Sequence, residues 1–503
     1  MNRSTLIVSL LIIAGTLILM GGSYAYFTAM ATSDEQTVQS GTLELTYQTG
    51  KDILLENAIP TEETEAGIHQ FTVENTGTLE AVYYLYLDNI ILQKDGKDTQ
   101  SENLKWKLYR ATEDYTQQEE IASGNFIDGN NTIELDTKIA IQPGEKHYYI
   151  LKLWLQETGK LQNEDQGLEF STIVEATTVK KKINKTLVSV IKEEAVLDNI
   201  ASTYVTSPTG IDFSQVSSDT NGKGLYILHG TETTKNPIMY YRGAVENNNV
   251  KFANFCWLIV RTTETGGVKL IYNGEPDENG TCHSSSKEIA GNDFNSGIYT
   301  NAGVGYMYGS DSADNYEETH ANINNSMIKT VIDSWYEENM LDYTENLEDT
   351  VWCNDRSISS NSSGDGIDDK TTEYGAYYRL YNNKTPSLEC VNPNDQFTVN
   401  NENGNGALTY PVALLTADEV AYAGEVYRQA SNTYLSSEED GIYWTLSPSI
   451  YNKGIAFHFT YELDGLQSTT YGQLGVRPAI SLKNRVKVKA DGDGTAENPY
   501  VVV

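Results

Sequence analysis

The sequence predicts a multidomain chain, an N-terminal all-β sandwich of jelly-roll-like type followed by an α+β domain. Three observations carry this expectation. Residues 28–178 hold seven short runs that alternate apolar and polar side chains, separated by turn residues and with no amphipathic helix among them. Residues 205–503 mix such runs with two helical patterns. The 503 residues also exceed the span of one ordinary domain.

The first element is an export signal over residues 1–27. After Arg3 no charge occurs until Asp34, and Leu6–Met20 reads LIVSLLIIAGTLILM. A positive start, an apolar heart of about 15 residues and small residues behind it match a secretory signal. Ser23 and Ala25 fit the −3 and −1 positions, which predicts cleavage after Ala25 or Tyr26. The uncharged run Ser4–Ala31 is also long enough to span about 30 Å of hydrocarbon, so an uncleaved membrane anchor is the alternative. Both readings place residues 35–503 outside the cytoplasm. No LPxTG-type motif precedes Val501-Val502-Val503, so covalent wall attachment is not expected.

The sandwich strands follow over 28–178. They are Gly41–Gln48, Ile68–Glu74, Leu79–Leu87, Leu104–Tyr109, Thr132–Ile141, His147–Gln156 and Leu168–Ala176. Asn75-Thr76-Gly77 and Pro143-Gly144 are turns. Tyr149, Leu151, Leu153 and Leu155 fall on one face at period two. Residues 179–204 read as a helical linker, opening on Lys180-Lys181-Lys182, with Leu187, Val190, Ile191, Leu197 and Ile200 at helical spacing.

In 205–503 the strand-like runs are Gly224–Leu228, Met239–Arg242, Asn254–Arg261 and Val268–Tyr272, with a hairpin turn at Gly266-Gly267. Asn325–Asn339 has helical periodicity, and Thr416-Ala417-Asp418-Glu419 is a capping box that starts a second helix. The tail returns to strands at Gly441–Leu446, Gly454–Tyr461 and Gly475–Leu482.

Charge narrows the class. Thirty-five Lys and Arg face 70 Asp and Glu, a net charge of −35. Phosphate backbones repel such a chain, so nucleic acid is excluded as a partner. With 34 Tyr, 11 Phe and 6 Trp the chain is too aromatic to be disordered throughout. The four cysteines are an even count, which in an exported chain predicts two disulfides. Three pairings are possible, and the nearest-neighbour one, Cys256–Cys282 and Cys353–Cys390, is favoured. Zinc is the poorer reading, because no C-x-x-C and no histidine accompany them.

Two resemblances extend these readings. Gly21-Gly22-Ser23-Tyr24-Ala25-Tyr26-Phe27, then Ser40-Gly41-Thr42-Leu43-Glu44-Leu45, then Phe71-Thr72-Val73-Glu74-Asn75-Thr76-Gly77 resemble the start of TasA/camelysin-type exported proteins of Gram-positive bacteria. That resemblance implies signal removal and a role in extracellular fibres. Protease activity is not carried over, because no HExxH is present and the six histidines are scattered. Phe255-Cys256-Trp257-Leu258-Ile259-Val260-Arg261, Tyr443-Trp444-Thr445-Leu446-Ser447-Pro448 and Gly475-Val476-Arg477-Pro478-Ala479-Ile480-Ser481-Leu482 resemble a secreted domain of unknown function. That domain is distantly similar to the C-type-lectin-like fold of formylglycine-generating enzymes. The activity of those enzymes needs a reactive cysteine pair, and here all four cysteines are explained as disulfides.

The candidate ligand-binding residues are Tyr443 and Trp444, which could stack on a sugar, and Arg477, which could meet a carboxylate. Core packing is the bland reading of all three. Asp365 and Asp368, and Asp491 and Asp493, sit in acidic Gly/Asp loops that leave calcium open as a cofactor; the second pair opens like an EF-hand loop but lacks its glycine and glutamate. No catalytic residue and no other cofactor is assigned. The expectation is a non-enzymatic exported surface protein for display, fibre assembly or ligand binding, glycan included. Its partners would be copies of itself, a cell-envelope or glycan ligand, and the membrane through its N-terminal segment. An extracellular enzyme built on the C-terminal loops, with His458 as the one suggestively placed histidine, and a purely structural fibre subunit are the rivals.

Overall fold

The computed structural model describes residues 43–47, 52–55, 59–126, 130–159, 162, 165, 167–197, 211–217, 224–228, 238–284, 286–429, 431–436, 442–460, 467–470 and 473–503. The export signal, both cleavage positions and Tyr26–Ala31 lie outside these residues. Among the described residues no helix is long and apolar enough to cross a membrane. The chain forms two compact units, the first ending at Lys181 and the second running from Lys182 to Val503.

The first unit is a β-sandwich. Its strands are β1 (Leu43–Tyr47), β2 (Asp52–Leu55), β3 (Gly67–Asn75), β4 (Ala81–Lys94), β5 (Lys97–Asp98), β6 (Ser101–Ala111), β7 (Gln117–Phe126), β8 (Ile133–Ile141), β9 (Lys146–Leu155) and β10 (Leu168–Thr177). One sheet has the order β1-β3-β9-β6-β7, and the other β2-β10-β4 with β5 and β8 also on β4. The period-two pattern puts Tyr149, Leu151, Leu153 and Leu155 of β9 inward, against Leu85 and Leu87 of β4 and Phe170 of β10. Register fixes neighbours within a sheet: Phe71 lies opposite Tyr149, and their rings stack at 5.1 Å. The Pro143-Gly144 turn forms as expected, with Gly144 at φ 76° and the Glu145 amide donating to the Gln142 carbonyl. Strand β7 had no sequence signal. QQEEIASGNF carries no apolar alternation because β7 is a sheet edge with its first four residues exposed.

The linker expected over 179–204 is corrected. Lys181 belongs to the sandwich, where its Nζ reaches Asp88 at 2.8 Å and Glu175 at 2.7 Å. The short strand β11 (Lys185–Thr186) and helix α1 (Leu187–Leu197) belong to the second unit. Leu187, Val188 and Ile191 of α1 are buried in that unit's core, and Tyr241 Oη donates to Glu194 at 2.8 Å. The amphipathic spacing that suggested a connector is the signature of a helix with a surface to pack on.

The second unit is built on an eight-stranded sheet. β12 (Leu225–Leu228), β13 (Ile238–Tyr241), β15 (Phe255–Thr262) and β16 (Val268–Tyr272) lie in that order, followed by Ala479–Leu482 and Val412–Ala413. β14 (Asn249–Phe252) pairs with β15 and with Tyr500–Val501. β15 and β16 are buried along their whole length, which explains their continuous apolar character. Gly266 turns the hairpin between them at φ 91°. Helix α2 (Met327–Asn339) is capped by Ser326 and buries Ile328, Ile332 and Tyr336. Helix α3 (Ala417–Tyr422) opens on the expected capping box. The run expected as one strand over Gly475–Leu482 is two, Leu474–Val476 and Ala479–Leu482. Pro478 has no amide to continue the ladder, and its carbonyl instead accepts from the Tyr272 amide at 2.8 Å.

Both disulfides form as the nearest-neighbour pairing predicts. Cys256–Cys282 closes 26 residues and Cys353–Cys390 closes 37. Bridges of this kind point to an oxidising, extracellular environment. On chain entropy each contributes about 3–4 kcal/mol.

Candidate functional site

The second unit holds a cavity of about 880 Å³. Four elements meet there: β15, β16, the N-terminus of α3 and the loop carrying Ser387–Val391. Its apolar wall includes Leu228, Ile238, Val351, Leu388 and Tyr422, and the Cys353–Cys390 bridge lines it as well.

Its floor is a set of interlocked charges. Arg261 and Lys269 lie opposite each other on β15 and β16, just past a bulge in β15. Both point at one carboxylate: Arg261 Nε and Lys269 Nζ each donate to Glu419 Oε1 at 2.7 Å. Glu419 Oε2 also accepts the Thr416 amide at 3.0 Å, closing the capping box of α3. Lys269 and Glu419 are each only 2% exposed. Burial alone raises the Glu419 carboxyl, but the attraction of Lys269 and Arg261 outweighs it and holds the group down to about 2. Lys269 Nζ also sits 4.3 Å from the centre of the Trp352 ring.

Beside this floor stands a second network. Arg379 grips Asp418 with Nε and Nη2 at 2.9 and 2.8 Å and reaches Asp355 with Nη1 at 2.7 Å. Asp418 Oδ1 also accepts the Ser387 amide at 2.9 Å, which ties the loop to α3. Such two-pronged pairs fix geometry as well as energy. Each floor cation is thus matched to a carboxylate, so the floor is rigid. A pre-paired floor under apolar walls suits recognition of a ligand with an apolar body and polar edges.

The structure places the expected site residues elsewhere. Tyr443, Trp444 and Arg477 are each 1% exposed, so the sugar-stacking and carboxylate-binding readings are corrected. Arg477 donates from Nε and Nη2 to the Tyr272 carbonyl at 3.1 and 3.0 Å, and lies 4.7 Å over the Tyr443 ring. Trp444 Nε1 donates to the Asn292 carbonyl at 2.8 Å. Arg477 thus ties the break between the two tail strands to β16, while Trp444 and Tyr443 anchor to Asn292 and Leu435. His458 is fully buried on Phe294, with Nε2 2.8 Å from the Val304 carbonyl.

The four aspartates do not converge. Asp365 pairs with Lys370 at 2.9 Å, and Asp493 takes the Thr495 amide and hydroxyl. The Asp368 carbonyl accepts from Asn301, and Asp491 lies 3.9 Å from Lys182. No group of three metal-ligating side chains occurs among the described residues.

Arg261, Lys269, Arg379, Asp418 and Glu419 were missed as site residues. A signal existed for three of them. Arg261 and Lys269 are charges inside otherwise apolar strand runs, and a buried strand tolerates a charge only when it is paired. Glu419 was legible as a cap, not as a counter-ion.

No protein-family model matches the chain, and no curated protein matches it. Among solved structures, TmCBM61 in complex with beta-1,4-galactotriose is similar over 29% of this chain and 93% of its own, at 11% identity and a TM-score of 0.11. Spo0M, a sporulation control protein from Bacillus subtilis, covers 46% of this chain and 79% of its own, at 10% identity and a TM-score of 0.11. Similarity at that level carries no argument about either unit.

Proposed function

We propose that the chain is a non-enzymatic, exported cell-surface protein whose second unit binds a ligand in the 880 Å³ cavity. The observation that carries this reading is the cavity floor, where Arg261, Lys269 and Arg379 are locked onto Glu419, Asp418 and Asp355. Groups locked in such pairs present a fixed surface, as binding requires.

Export is supported by the leader-like residues 1–27 together with the two disulfides. A jelly-roll-like sandwich is supported by the way the chain alternates between sheets, with β1, β3, β6, β7 and β9 in one and β2, β4, β8 and β10 in the other; its TasA/camelysin-like character rests on the sequence resemblance. A C-type-lectin-like second unit rests on the sequence resemblance. Within this reading the sandwich serves display or assembly, and an envelope glycan is the ligand class to screen first.

The test is an array of envelope glycans and glycopeptides probed with the secreted chain and with Leu388→Trp, which narrows the cavity at its loop wall. Binding by the native chain, weakened at least about tenfold in the variant at unchanged melting temperature, is expected. A blank array, or binding indifferent to the variant, overturns it.

A further inference from the structure

A second cleft, of about 550 Å³, shares no lining residue with the first and lies next to the Cys256–Cys282 bridge. Its back is aromatic. Phe255, Tyr272 and Trp335 meet with ring centres 5.5, 5.5 and 5.7 Å apart and planes inclined at 47° to 79°. They form a three-faced corner, not a stack. Phe255 and Tyr272 are held by β15 and β16, and Trp335, half-buried on α2, supplies most of the accessible face.

The rest of the wall is acidic. Glu275, Asp277 and Glu288 line the cleft, and among the described residues no lysine or arginine does. Its serine and asparagine donors are engaged at home. Ser284 Oγ donates to the Ser286 carbonyl, Ser286 Oγ to the Glu288 carbonyl and Asn339 Nδ2 to the Trp335 carbonyl. His283 Nε2 lies 3.1 Å from Glu497. A neutral sugar needs donors as well as acceptors from its site. This cleft offers carboxylate oxygens and ring faces, which are the two surfaces a positive charge seeks. The net charge of −35 adds a field of the same sense.

We infer that this cleft binds an organic ammonium group, with the cation over the Phe255–Tyr272–Trp335 corner and the carboxylates around it. The site is separate from the cavity assigned above and does not rest on that assignment.

Calorimetric titration of the secreted chain at low ionic strength tests it. The probes are choline and 3,3-dimethyl-1-butanol, which has the same shape without the charge. Saturable choline binding is expected, at least about tenfold tighter than the neutral isostere. Trp335→Ala should weaken choline at least about tenfold, and Glu275→Gln, at an exposed position, about threefold. Melting curves accompany both variants. If Trp335→Ala unfolds the chain, Glu275→Gln decides alone. No saturable choline binding, equal affinity for the isostere, affinity unchanged in the folded variants, or a neutral sugar bound in place of choline would each overturn the inference.

Discussion

Glu419 shows how much one side chain carries. One of its oxygens closes the capping box of a helix and the other accepts from two buried cations. Glu419→Gln keeps the cap acceptor but takes the carboxylate from buried Lys269 and leaves Arg261 only its pair with Glu264, and should cost about 3–5 kcal/mol in urea unfolding. Two buried histidines set the acid limit. Burial pushes His320 down to about 3 and His458 to about 4, from an ordinary 6.5. The unfolded chain therefore takes up protons below about pH 6.5 while the folded chain does not. Stability should be full above that value and fall as the pH drops toward 4. Glu419 adds to the loss below about 4.5, because its folded value is depressed and its contribution vanishes as pH approaches 2. Urea midpoints measured from pH 8 to 4 should show this decline, and His458→Gln should flatten it by on the order of 2 kcal/mol at pH 4.5. A flat native profile would refute the assignment.

At the scale of elements, α1 is the sharpest case. Leu187, Val188 and Ile191 are buried, and each such side chain contributes about 1.5–3 kcal/mol. A fragment of residues 182–503 should therefore fold by circular dichroism, and one of residues 205–503 should melt well below it or fail to fold. Equal melting temperatures would show that the helix is dispensable. The same helix marks what a sequence can disclose. Its period was visible, but the surface it packs on comes from β13 and from strands far along the chain. Strands with alternating or continuous apolar patterns, such as β9 and β15, were legible; edge strand β7 was not, because exposure on both faces erases the pattern. Capping and turn residues at Thr416 and Gly266 were legible because their chemistry is local. The cavity was hidden because its wall draws on residues from Leu228 to Ser447, and proximity across such separations leaves no local trace. Tyr443, Trp444 and Arg477 misled for a related reason. An aromatic pair and an arginine read alike whether they face a ligand or brace a strand break.

At the scale of the whole molecule, charge governs association. Subunits carrying −35 repel one another, and the effect is screened over about 8–10 Å at physiological salt. If the sandwich assembles into fibres, assembly should rise with salt, with divalent cations and at acid pH. Sedimentation of the secreted chain across those conditions checks this, and monomers throughout would remove assembly from its roles.

The disulfides have a consequence for biogenesis. Cys256 joins Cys282 and Cys353 joins Cys390, so each bridge links cysteines that are consecutive in the chain. A polypeptide threaded N-terminus first into an oxidising space exposes each partner directly after its mate. An oxidase working in order of emergence makes the native pairs without passing through a crossed one. Maturation in such a space needs a thiol oxidant but no reshuffling catalyst, and the slow step that scrambled bridges impose does not arise.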